Sequence, residues 1–63
     1  MKNFITFILP THNEERNIIP LIKEILALNI NYEIEIIVVD DDSIDQTQTL
    51  VKKLSKIERR VRL

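Results

Sequence analysis

The run Ile36-Ile37-Val38-Val39, followed at once by Asp40-Asp41-Asp42-Ser43-Ile44-Asp45, constrains this chain more than any other feature. Consecutive β-branched apolar residues read as a strand buried on both faces, the habit of parallel sheets covered by helices. The carboxylates then fall at the strand's C-terminal end. In open α/β sheets that edge is where ligands bind, so one segment bears on both fold and function.

The rest of the chain supplies partners for that strand. Asn3 to Leu9 is rich in Phe, Ile and Thr and reads as a first strand closed by Pro10, which cannot donate to a ladder. Thr11-His12-Asn13-Glu14 follows as a loop. Thr11 with Glu14, or Asn13 alone, is suited to cap a helix whose first turn holds Glu14 and Glu15, where the helix dipole favours acids. Ile18, Leu21, Ile22, Ile25, Leu26 and Leu28 recur at helical spacing, with Lys23 and Glu24 outward. Pro20 is tolerated in a first turn, so the regular helix is expected to start near Asn17. Asn29 to Asn31 supplies turn residues, and Tyr32 to Val39 forms the second strand. Ser43 with Gln46 is a capping-box pair, and Leu50, Val51, Leu54 and Ile57 give a second helical stripe ending near Lys56. Val61-Arg62-Leu63 begins a third strand.

The order β-α-β-α-β predicts an α/β fold with parallel strands and right-handed crossovers, one partial domain over residues 1–63. A sheet this narrow leaves apolar edges unpaired and at least one face poorly covered. The expectation is therefore an incomplete sheet, the N-terminal piece of something larger.

Size and composition exclude several classes. A chain of 63 residues buries only ~60% of the surface its unfolded form exposes, so stability is expected to be marginal. With no Cys and the single His12 there is neither a disulfide framework nor a zinc site. Gly is wholly absent, which rules out Walker A and dinucleotide-binding loops. Phe4 to Leu9 is too short for a signal peptide's apolar region or a membrane span. The net charge is -1, yet Lys52, Lys53, Lys56, Arg59, Arg60 and Arg62 crowd the C-terminal part. They read as a solvated helix face and polar turn in preference to a nucleic-acid or lipid patch. No aromatic residue interleaves with them as a stacking platform, and no nucleic-acid partner is expected. The lack of Cys fits the cytoplasm.

Asp40, Asp41, Asp42 and Asp45 leave three roles open: a divalent cation site, acceptors for N–H groups of a base or hydroxyls of a sugar, or helix-capping acids. An EF-hand loop is dismissed. Starting at Asp40 puts Ile44 at a ligand position, and starting at Asp41 puts Gln46 where Gly is needed and Lys52 where the bidentate Glu is needed.

Taken together, Phe7-Ile8-Leu9-Pro10-Thr11-His12-Asn13-Glu14-Glu15-Arg16-Asn17-Ile18 and Glu35-Ile36-Ile37-Val38-Val39-Asp40-Asp41-Asp42-Ser43-Ile44-Asp45-Gln46-Thr47 resemble the opening of family 2 glycosyltransferases. Within that family the chain is most similar to the dolichol-phosphate mannose synthase and polyprenyl-phosphate glycosyltransferase branch. Each motif ends a predicted strand and enters a helix. The resemblance implies a GT-A fold, a Rossmann-like sheet whose first two strand ends hold a nucleotide-diphosphate sugar. It places Pro10, Thr11, His12 and Glu14 along the nucleotide pocket and lets Asp40 or Asp41 accept from the base. A carboxylate accepting from a ring N–H selects uracil or guanine without a Gly-rich loop. The plainer reading of Glu14 is a first-turn acid serving the helix dipole. His12 stands where the family usually has Tyr, and a surface-loop His is its plainer reading. Asp42 stands where Gly is common; Asp tolerates left-handed backbone, so the turn is expected to survive, with an added charge near a pyrophosphate.

The implied reaction is attack of an acceptor hydroxyl or a polyprenyl phosphate on the sugar's anomeric carbon, with a Mg or Mn ion stabilising the leaving diphosphate. Asp40-Asp41-Asp42 has the letters of a DxD metal motif, but the resemblance puts that motif and the general base beyond Leu63. No catalytic residue and no metal ligand is assigned within this chain, which alone is not expected to be active. Location is expected to be cytoplasmic or at the cytoplasmic face of a membrane, with membrane association arising only through sequence beyond Leu63. Two other readings rank lower. One is a response-regulator receiver domain, whose acidic strand opens its fold, unlike here; the other is a truncated remnant without independent activity.

Overall fold

The computed structural model describes residues 3–63. Its elements run β1 (Phe4–Thr11), α1 (Ile18–Leu26), β2 (Glu33–Asp40), α2 (Thr47–Ile57) and β3 (Val61–Arg62). The three strands form one parallel sheet with β2 in the centre. β1 lies on β2 from Phe4↔Glu33 to Thr11↔Asp40, and β3 adds only Ile36↔Val61 and Ile37↔Arg62. This is the α/β, Rossmann-like arrangement that the alternation of strand and helix patterns predicts.

The two-residue period of a strand decides what is buried. Ile34, Ile36 and Val38 of β2 are buried, and their register neighbours Phe7, Leu9 and Val61 pack with them. Over this face α1 lays Ile18, Ile22 and Ile25, one helical stripe, and α2 lays Val51 and Leu54. Ile22 and Ile36 are fully enclosed, and burial of such a side chain stabilises by roughly 1.5–3 kcal/mol. Two right-handed crossovers running in the same direction along the sheet put both helices on one side, and α1 touches α2.

The other face stays open, which corrects the expectation that Ile36 to Val39 is buried on both sides. Phe4, Ile8 and Val39 are 72%, 63% and 53% exposed, and Ile37 is half-buried. Arg62 Nη2 meets Glu35 Oε2 at 2.6 Å across this face, and Thr6 Oγ1 donates to Glu35 Oε1 at 3.1 Å.

Backbone parity explains why Pro10 does not end β1. The carbonyls of Asn3 and Thr11 accept from Glu33 N and Asp41 N at 2.9 and 2.7 Å, so odd-numbered residues of β1 turn their polar groups toward β2. Even-numbered residues, Pro10 among them, turn theirs to the open edge, where a missing N–H costs no ladder bond. The strand therefore runs to Thr11, past Leu9 where the sequence reading stops it.

The helix starts differ from expectation in a related way. α1 begins at Ile18 after Asn17, and no acid lies in its first turn. Glu14 sits before the helix in a turn closed by Asn17 N and Ile18 N, which donate to its carbonyl at 3.0 and 2.9 Å. Pro20 falls in the first turn, as anticipated. α2 begins at Thr47 after Gln46, with no side-chain cap on Gln46. The Ser43–Gln46 capping box is not formed because Ser43 is engaged by Asp40 and Asn13 instead.

Candidate functional site

The C-terminal ends of β1 and β2 lead into two loops, residues 12–17 and 41–46, that are fastened to each other. Asn13 takes φ 53° and Asp42 φ 55°, left-handed values that without Gly fall to Asn and Asp. The turn at Asn13 lets its N–H donate to Ser43 Oγ at 2.8 Å while its amide oxygen accepts from Ile44 N at 3.0 Å. One step on, Glu14 N donates to Thr47 Oγ1 at 2.8 Å and Glu15 N donates to Asp45 Oδ2 at 3.3 Å. Thr47 is fully buried; its hydroxyl passes its own proton to Asp45 Oδ1, which also accepts from Thr47 N at 2.9 Å. Partial burial pushes the Asp45 carboxyl up, but the bonds from Thr47 and Glu15 outweigh it and hold the group below its ordinary range.

Asp40 is the centre of the clasp. Its carboxylate accepts from Ser43 Oγ at 2.6 Å, Thr11 Oγ1 at 2.7 Å, Gln48 Nε2 at 2.7 Å and Ser43 N at 2.8 Å. The Ser43 hydroxyl foremost, then that of Thr11, hold its carboxyl far below the usual carboxylate range. Both oxygens are thus committed within the protein, and Thr11, only 6% exposed, is committed with them.

Asp41 differs completely from its neighbour. Its N–H continues the ladder to Thr11 and its carbonyl accepts from His12 Nδ1 at 2.7 Å. Because a carbonyl can only accept, Nδ1 carries the proton, and Nε2 then accepts from Asn13 Nδ2 at 3.3 Å. The ring of His12 is held against β2 by backbone while its faces stay exposed. The carboxylate of Asp41 is exposed and has no hydrogen-bond or ion-pair partner among the described residues.

The six residues singled out by sequence are therefore brought to one sheet edge but divided between two sides. Thr11 and Asp40 continue the helix-covered side, and Glu14 is half-buried beneath the loop with Oε2 accepting from Asn17 Nδ2 at 3.4 Å. Pro10, His12 and Asp41 are exposed and follow the open side by alternation. Pro10, Thr11 and Glu14 also line a cleft of about 310 Å³ against Ile18 and Leu21 on the β1 edge. Asp40 lines a separate one with Val39, Gln48 and Leu63. The clasp residues Asn13, Ser43, Thr47 and Gln48 escape sequence reasoning as site builders. The signal was there for Asn13: in a chain without Gly, an Asn directly after a strand-ending Pro-Thr-His is the residue able to take a left-handed turn.

Among the described residues no group of three or more His, Asp or Glu side chains is placed to hold a metal ion. The three consecutive aspartates do not converge, since Asp40 turns inward and accepts four bonds. No described helix is long and apolar enough to cross a membrane.

No curated protein and no solved structure gives a significant match to this chain. The family model described as glycosyl transferase family 2 does, over residues 6–63, an interval that contains both strands, both loops and every residue of the clasp. With its parallel β-α-β-α-β order and its polar strand ends on one edge, the chain belongs to glycosyl transferase family 2.

Proposed function

We propose that this chain forms the base-binding part of the donor pocket of a glycosyltransferase, with Asp41 as acceptor for a ring N–H of uracil or guanine. The observation that carries the reading is the free carboxylate of Asp41, held in place by a backbone bonded on both sides yet open to solvent beside His12 and Pro10. A fixed anion that spends no bond internally is available for a charge-assisted one. The His12 ring and the Pro10 ring flank the position a base would take. Thr11, Glu14 and Asp40 serve the pocket by fixing the loops that shape it.

The donor is a nucleotide-diphosphate sugar. In the reaction an oxygen of the acceptor, a hydroxyl or a polyprenyl phosphate, forms a bond to the anomeric carbon as the bond to the diphosphate breaks and its electron pair leaves with the phosphate. A Mg or Mn ion would offset charge on that leaving group; the residues of this chain do not form its site, and their part is to bind and orient the nucleotide. The similarity to the polyprenyl-phosphate branch supports a lipid-phosphate acceptor at the cytoplasmic face of a membrane. The 63-residue chain by itself is expected to bind donor nucleotide without transferring sugar.

Titration of the chain with UDP, GDP, CDP and ADP in the presence of manganese, followed by NMR shifts of the Asp41 and His12 amides, tests this. UDP or GDP should bind better than CDP or ADP, and Asp41→Asn should remove the preference. Absence of any binding at millimolar nucleotide, or a preference untouched by Asp41→Asn, would sink the assignment.

A further inference from the structure

The two edges of the sheet are not alike. β3 offers two residues, with the exposed Arg60 and Arg62 beside them. β1 offers eight residues, Phe4 to Thr11, without a single charge, in a chain where 30% of residues are charged. Edge strands are ordinarily blunted by Lys, by Pro or by a bulge. Along β1 the one such device is Pro10, at the far end.

We propose that the β1 edge of this 63-residue chain is a self-association site, on which a second copy docks antiparallel about a twofold axis at Thr6. Parity supplies the register. Phe4, Thr6 and Ile8 turn their N–H and C=O groups outward, by the same alternation that turns Asn3 and Thr11 inward. With Thr6 opposite Thr6 of the second copy, Phe4 stands opposite Ile8, and all three positions are of the type that exchange both backbone bonds. Pro10, which has no N–H to give, falls outside this stretch. Phe4 and Ile8, 72% and 63% exposed on the same face, become aromatic-to-β-branched pairs across the new seam, a favourable combination on a sheet surface. No like charges meet there. A second copy docked on β3 instead would set arginines against each other, and docking of β1 on β3 would generate an open-ended stack, whereas the twofold contact closes after two chains.

Sedimentation equilibrium of the chain from micromolar to millimolar concentration, together with amide hydrogen exchange, tests the proposal. The expected result is a mass rising from 7.5 kDa toward twice that value, with slowed exchange at the Phe4, Thr6 and Ile8 amides. Thr6→Lys places two ammonium groups on the axis and should return the chain to a monomer; Ile8→Lys serves the same purpose where Thr6→Lys disturbs the bond to Glu35 or the fold. The proposal is overturned by a monomeric mass at millimolar concentration, or by growth beyond a dimer. It is equally overturned by a dimer whose three edge amides exchange at the monomer's rate, or by dimerisation that survives a folded variant.

Discussion

Ile36 and Ile37 are neighbours of identical chemistry, yet one lies at the centre of the core and the other on a face that no helix covers. The same division runs the length of β2 and beyond its end. Even-numbered residues Ile34, Ile36, Val38 and Asp40 look into the molecule, and odd-numbered Ile37, Val39 and Asp41 look away from it. On β1 the division repeats with opposite numbering, Phe7, Leu9 and Thr11 inward, Ile8, Pro10 and His12 outward. One side of the sheet holds the fold and the other holds what is free to bind.

The largest test of that division lies in the core. Ile36→Ala removes a fully enclosed side chain and should cost about 2–5 kcal/mol. A domain of this size has roughly 3–9 kcal/mol in all, so urea denaturation should find the variant largely unfolded. Val39→Thr, on the open face, should shift stability by no more than about 0.5 kcal/mol. Equal losses at the two positions would mean that the open face is covered in solution, and the comparison of faces would fail.

Next in size is Asp40. Its carboxyl is held far below the ordinary value in the folded chain, so the stability it contributes is complete above the unfolded pKa of about 3.9 and is lost as pH falls toward the folded value. Asp45 and Glu58, also lowered, act in the same direction. The thermal midpoint should hold steady from pH 7 to about pH 5 and fall below about pH 4. Asp40→Asn should lower the midpoint at pH 7, because an amide sets N–H groups against the Ser43, Thr11 and Gln48 donors, and should flatten the acid limb. A variant as stable as its parent at pH 7 would show that the four bonds are not what holds the loops.

Asp41→Asn should behave in the opposite way. Its carboxylate bonds nothing within the described chain, so the midpoint and the acid limb should stay where they are, within about 0.5 kcal/mol. Affinity for UDP or GDP should fall by about tenfold or more, the worth of a hydrogen bond to a charged group. Loss of stability without loss of binding would exchange the roles of the two aspartates.

Much of this was legible in the sequence because it depends on periodicity. The stripe Ile18, Ile22, Ile25 and the run ending at Val39 define α1 and β2 with no tertiary information, and the Pro-Thr-His-Asn-Glu and Asp-Asp-Asp-Ser segments mark the two loops. What the sequence did not show is which side of each strand the helices take. That side is set by crossover handedness acting on a narrow sheet, so a continuous apolar run looked buried twice when it is buried once. Nor did it separate Asp40 from Asp41, since adjacent aspartates differ only through donors brought by Thr11 on β1 and Gln48 on α2. The capping box failed for a similar reason: Ser43 had a stronger acceptor in Asp40 than anything Gln46 offered.

The smallest expected effects separate the two left-handed turns. Asp42 takes φ 55° and its side chain has no hydrogen-bond or ion-pair partner among the described residues. A left-handed backbone costs an ordinary residue roughly 1–2 kcal/mol, less for Asp, while Gly brings an entropic penalty of roughly 0.5–1 kcal/mol from the unfolded chain. Asp42→Gly also removes one of several crowded negative charges, so it should stabilise slightly, by about 0.5 kcal/mol. Asn13 takes nearly the same φ, 53°, but its amide oxygen accepts from Ile44 N. Asn13→Gly relieves the same backbone strain yet leaves that N–H without its partner, and should destabilise by about 1 kcal/mol. Matched thermal melts of the two variants should therefore move in opposite directions. A shift of both in the same direction would mean that backbone conformation alone governs these turns, and that the side-chain clasp between the loops contributes nothing to holding Asp41 in place.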